Sequence, residues 1–177
     1  METITITFPG LSLNEVCKQN PELFYNQSWY TEEAFANEKI PAGEWTVSLE
    51  AVPDSLSKTW EEQQKLLDEE LTVPPIAVLV YAMVEHFKDT GNRAFGDVYV
   101  RTSSLDSDGD RVRVGDFDAG GLVVDYDWDG RRGSSLGLAS AWKEPRTLES
   151  LKSLEGLSLE ARVAKIEAVL EHFNLKI

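Results

Sequence analysis

DVYVRTSSLDSDGDRVRVGDFDAGGLVVDYDWDGRRGSSLGLASA, residues 97–141, is the stretch on which the fold turns. Apolar and polar residues alternate along it in short runs, and Asp- or Gly-rich turns separate the runs. Alternation with a period of two marks a half-buried strand. Asp and Gly make the turns because Asp bonds to nearby backbone and Gly accepts positive φ. Strands are expected at 97–102, 111–117, 121–128 and 135–141, and their spacing suits an antiparallel meander. Gly115 interrupts the second run and is expected to mark a bulge.

Outward from this stretch the pattern turns helical. Residues 76–84 are apolar on every side, so the helix expected over 74–90 should be central and covered, with Pro74-Pro75 in its first turn and Gly91 ending it. Thr59 with Glu62 is a capping box opening a helix expected through residue 71, and Ser12 with Glu15 is another, opening a helix over 13–19. Thr3, Thr5 and Thr7 alternate with Ile4, Ile6 and Phe8 in a strand over 2–8, and a second strand is expected over 44–50. Residues 22–43 are aromatic and irregular, a loop or short helical turns. Leu159, Val163, Ile166, Leu170 and Phe173 stripe a terminal helix over 158–174 that should dock on a sheet.

The fold class that follows is α+β. One antiparallel sheet, mainly from 97–141, is covered on one face by the helices near 59–71, 74–90 and 158–174, in a single domain over 1–177. Segregation of helices and strands along the chain argues against a doubly wound parallel sheet. The 2–8 and 44–50 strands extend that sheet or pair with each other.

Composition narrows the function. The chain has 177 residues with 31 Asp and Glu against 17 Lys and Arg, a net charge of −14. Such a field repels phosphate backbones, so no nucleic acid is expected as partner. The excess lies in residues 1–100, with 17 acids against 6 bases, and a protein partner would be met either through that acidic half or through the aspartate/arginine face of the sheet. Cys17 is the sole cysteine, so neither a disulfide framework nor a cysteine zinc site is available. The N-terminus has no signal-peptide pattern, and the run Ile76 to Val84 is too short to span a membrane. A soluble cytoplasmic protein is expected.

Three sets of residues could carry chemistry. Asp125, Asp127 and Asp129 with Gly130 read as the first half of a calcium loop, in which alternate carboxylates face one Ca²⁺ or Mg²⁺. The bidentate acid that should close such a loop falls on Leu136, so pairing with Arg131 and Arg132, or plain solvation, competes with metal. Asp106, Asp108 and Asp110 form a second acidic turn with Gly109, and Asp116 with Asp118 a third. Arg101, Arg111 and Arg113 could line up to clamp a carboxylate or phosphate, or pair across strands with the aspartates. A metal-dependent phosphoesterase would use both sets but lacks a general base. His86 and His172 have no ligand spacing, and no GxSxG, GxxxxGK or GxGxxG occurs. No catalytic or cofactor-binding residue is assigned. Trp45, Trp60 and Trp128 fall where the pattern expects core.

The strings SKTWEEQQ (57–64), VRTSSLDSDGDRVRVGDFDAGGL (100–122) and LGLASAWK (136–143) resemble a group of small bacterial proteins of uncharacterised function. The resemblance spans roughly residues 22–143. It implies that the helix pair and the strands after it form one unit, and it carries no activity, cofactor or partner. The function expected from the residues is a non-enzymatic, acidic binding domain, with a calcium-binding domain as the alternative.

Overall fold

The computed structural model describes residues 2–142; the helix expected over 158–174, and His172 with it, lie outside them. The described residues form an α+β fold of two sheets. Strands β1 (Thr3–Phe8), β2 (Gly43–Ser48), β3 (Leu71–Thr72), β4 (Tyr99–Leu105), β5 (Arg111–Asp118), β6 (Gly121–Asp127), β7 (Leu136–Leu138) and β8 (Ala141–Trp142) alternate with helices α1 (Leu13–Gln19), α2 (Ala34–Asn37), α3 (Trp60–Gln64) and α4 (Ile76–Thr90). The first sheet has the order β1-β2-β8-β3 and the second β6-β5-β4-β7.

α4 is the centre. Ile76, Ala77, Val78, Leu79, Val80, Ala82, Met83 and Val84 are all buried, and Tyr81 alone in this stretch is partly exposed. A single sheet face cannot cover such a helix, and this is why the expected single sheet is two. α4 packs on β1, β2 and α1 on one side and on β4 and β5 on the other. Ile6, Phe8 and Val47 reach it from the first sheet; Val100, Val112, Val114 and Val124 belong to the same core from the second. At roughly 1.5–3 kcal/mol for each large apolar side chain removed from water, this helix is the main source of cohesion. Gly91 ends it in the left-handed conformation, φ 74°, its N–H bonded to the Phe87 carbonyl.

Both capping boxes form. Ser12 Oγ accepts from the Glu15 N–H and Thr59 Oγ1 from the Glu62 N–H, and each glutamate returns the bond to its cap. α3 nevertheless stops at Gln64 rather than continuing to 71. Gln63 is fully buried and pinned by three hydrogen bonds, while Leu66 and Leu67 turn inward onto Val52, Val73 and Leu138. Three adjacent acids, Asp68 to Glu70, then leave no apolar stripe to prolong the helix.

β4, β5 and β6 form the expected meander, and β1 pairs with β2. The fourth expected strand, 135–141, is corrected on two counts. Its first part, β7, runs parallel to β4 on the far edge of the second sheet, and its last residues cross to the first sheet, where Ala141 begins β8. Between β6 and β7 the chain passes from one edge of the second sheet to the other, and Arg101 on β4 donates to the Trp128 and Arg131 carbonyls of this connection.

The ladder shifts register between Gly115 and Asp118, where the bulge was expected. A Cβ on Gly115 would lie 1.9 Å from the Val98 carbonyl oxygen, a backbone atom that cannot swing aside. Gly115→Ala should therefore cost about 2–3 kcal/mol. Urea unfolding would check it, and an unchanged midpoint would mean that the β4–β5 contact relaxes freely.

Candidate functional site

Register places the polar side chains. Arg101 stands opposite Arg113, which stands opposite Asp125, so a row of two guanidiniums and a carboxylate crosses β4, β5 and β6. Leu105, Arg111 and Asp127 form the next row, beyond a shift between Arg101 and Leu105. Like charges directly opposite repel. The carboxylates resolve the conflict.

Asp127 is buried between two arginines, with Arg113 Nη1 at 2.7 Å from Oδ2 and Arg131 Nε at 3.2 Å from Oδ1. The closer contact is an ion pair and not an aligned hydrogen bond. Arg113 also donates to Asp125 and lies over the Tyr99 ring at 4.4 Å. Arg111 lies over the Trp60 ring at 3.9 Å and reaches both Asp129 oxygens at 3.4 Å. Arg132 pairs with Glu62. Each of the three aspartates read as calcium ligands thus faces a guanidinium, and among the described residues no group of three or more Asp, Glu, His or Cys is arranged to hold a metal ion.

Arg101 has the most unusual environment. It is 0% exposed, so the ligand clamp expected of it has no access to solvent. Its donors go to Gln63 Oε1 and to the carbonyls of Lys58, Trp128 and Arg131. Burial lowers its pKa, while Asp127 and then Asp129 act to raise it. Its contacts tie the 58–63 segment and the 128–131 turn to the sheet.

The same register brings the two acidic turns to one end of the second sheet. Leu105 opposite Arg111 closes the 106–110 turn, and Arg111 opposite Asp127 sets the exit of β6 beside it. Asp106 Oδ1 accepts from the Asp108 and Asp110 N–H groups, and Glu33 holds Ser107 from outside. Burial, then Asp106 and Asp108, push the Asp110 carboxyl above the usual range. Asp116 and Asp118 lie at the opposite end, by the β5–β6 turn.

Large apolar groups stand exposed at this acidic end. Trp128 is 61% exposed, contrary to its expected place in the core, with Tyr126 and Leu105 also exposed. β6 ends at Asp127, so Trp128 is the first residue past the ladder. Its ring lies over Gly130, where a Cβ would meet it at 2.0 Å. The Trp29 ring meets Tyr126 from below, 5.1 Å away. Alternation alone extends the strand through 128 and misses this exposure; the following Asp129-Gly130 turn was the available signal. For the Arg101 pocket the signal was Gln63, a polar residue on the apolar stripe of its helix. No helix among the described residues is long and apolar enough to cross a membrane.

Asp127→Asn should remove the charge shared by Arg113 and Arg131 and cost about 3–5 kcal/mol. Thermal melts would check it. Ca²⁺ or Mg²⁺ should not raise the wild-type midpoint, whereas a saturable rise would restore the metal reading.

The Thr59 N–H, and after it Arg132, hold the Glu62 carboxyl below the usual range. A carboxyl with a lowered folded pKa stabilises above its unfolded value, near 4.3, and loses that contribution as pH falls through the folded value. The stability difference between wild type and Glu62→Gln should therefore be full at neutral pH and shrink below about pH 4. Denaturation midpoints across pH would show it; a constant difference would discount the ionised cap.

No protein-family model, curated protein or solved structure matches the chain.

Proposed function

We propose that this chain is a non-enzymatic binding domain whose partner is a basic protein segment. It meets that segment at the acidic end of the second sheet. The observation that carries the reading is the exposure of Trp128 just past β6, at the end of the sheet that also carries the 106–110 turn. An exposed indole at the same end of the sheet as the exposed Asp108 suits arginine, whose guanidinium stacks on the ring while its edge bonds an acid. Interface hot spots are rich in tryptophan for the same reason. The charge pattern supports this reading as well. Arg101, Arg111, Arg113, Arg131 and Arg132 are engaged within the fold, whereas Asp108, Glu32, Glu38, Asp68 and Asp97 are exposed. The resulting field draws in a cationic partner and speeds encounter.

A labelled arginine-rich peptide, titrated at low salt and read by anisotropy, tests the reading. Trp128→Ala should weaken binding about tenfold or more while leaving the melting temperature nearly unchanged. Asp118→Asn, at the opposite end of the sheet, should leave binding as it was. Equal affinity in the Trp128→Ala protein would reject the site.

A further inference from the structure

A sheet edge with unpaired N–H and C=O groups is a template for another strand, and folds usually blunt such edges. Among the described residues, three of the four sheet edges are blunted. β6 is covered by the 24–29 segment: the Tyr25 N–H bonds the Leu122 carbonyl, Gln27 Oε1 takes the Val124 N–H, and Trp29 Nε1 donates to the Val124 carbonyl. β7 is covered by the Val52 N–H and the Gln63 amide. β3 has only two residues.

β1 is different. It runs six residues, Thr-Ile-Thr-Ile-Thr-Phe, in regular register with β2 from Thr3 opposite Ser48 to Phe8 opposite Gly43. It has no bulge, proline or charge to discourage pairing. The Leu49 N–H bonds the Glu2 carbonyl, while the Ser48 N–H points the other way, to the Ser140 carbonyl. By the alternation of an antiparallel ladder, Ile4, Ile6 and Phe8 bond to β2, and the backbone of Thr3, Thr5 and Thr7 faces outward. All three threonines are exposed, and no described backbone bond reaches them.

From this we infer a second binding surface, distinct from the acidic end: the β1 edge pairs antiparallel with β1 of a second copy of this chain. The segment is self-complementary about Thr5. A two-fold axis there sets Thr5 against Thr5 as a hydrogen-bonded pair, and Thr3 against Thr7. Ile4 then lies opposite Ile6 on the apolar face, where Ile4 is only partly buried in the single copy. Glu2 lies opposite Phe8, so the two Glu2 residues are separated by about 20 Å of strand. That exceeds two Debye lengths of about 8 Å at physiological salt, so the pairing brings no like charges together within the strands. The first sheet would become continuous across the dimer.

Sedimentation of the full-length chain up to about 1 mM, the range where weak interfaces show, tests this. The wild type should dimerise. Thr5→Pro, which removes an outward N–H that the single copy does not use, should be monomeric with an unchanged circular dichroism spectrum. Thr5→Lys should be monomeric too, should the proline variant fail to fold. Hydrogen-bonded partners stand about 5.5 Å apart at Cα, within disulfide reach. Mild oxidation should therefore cross-link the Thr5→Cys chain to itself and leave Thr7→Cys uncross-linked, with the wild type reporting any background from Cys17. A wild type that stays monomeric throughout overturns the proposal. So does a dimer that survives both Thr5→Pro and Thr5→Lys, or one that cross-links through Thr7→Cys instead of Thr5→Cys.

Discussion

A helix apolar on every side sets the terms for this fold. α4 can be stable in water only if both its flanks are covered, and neither sheet alone is wide enough to wrap it. The first sheet, assembled from strands far apart in sequence, covers one flank. The meander that follows α4 covers the other. The chain must then return to the first sheet after completing the second, and the path through β7 to β8 does this within seven residues, 136–142. Contacts between residues distant in sequence follow from that single requirement.

The second constraint is electrostatic. Two arginines directly opposite each other on neighbouring strands would repel, yet Arg101 and Arg113 occupy such positions. Asp127 and Asp125 balance Arg113, and Arg101 is held by carbonyls and Gln63 in a site closed to water. Buried ion clusters add little net stability over apolar packing of the same volume, but breaking one leaves an unpaired charge and is costly. Their contribution here is specific. Arg101 ties the 128–131 turn to the sheet through the Trp128 and Arg131 carbonyls. It also fixes the pose from which Trp128 projects.

The aspartates around the second sheet therefore play different physical roles. Asp125, Asp127 and Asp129 neutralise arginines of the sheet. Asp106 and Asp118 satisfy backbone of their own turns, and Asp108 projects charge into solvent. An acidic surface keeps copies of the chain apart at long range, but a strand edge without charged residues escapes that repulsion at contact distance. Surface charge and edge pairing thus act on different length scales in the same molecule.

Much was legible in the residues themselves. Periodicity located β1, β2, the meander and α4; capping boxes located the starts of α1 and α3; Gly115 located the bulge. These features are local, set by backbone sterics and by hydrogen bonds a few residues apart. The Asp and Arg residues of the strand face were legible as a cluster, but not their pairing. That pairing depends on which residue stands opposite which, and so on register. Tertiary structure alone decided that the described strands form two sheets, that β7 runs parallel to β4, that α3 ends at Gln64 and that Trp128 is exposed. Each of these depends on contacts between distant segments, such as Arg101 with Trp128 and Arg131, or Gln63 with Leu136. No local pattern encodes such contacts, because their energy exists only once the chain has closed around α4.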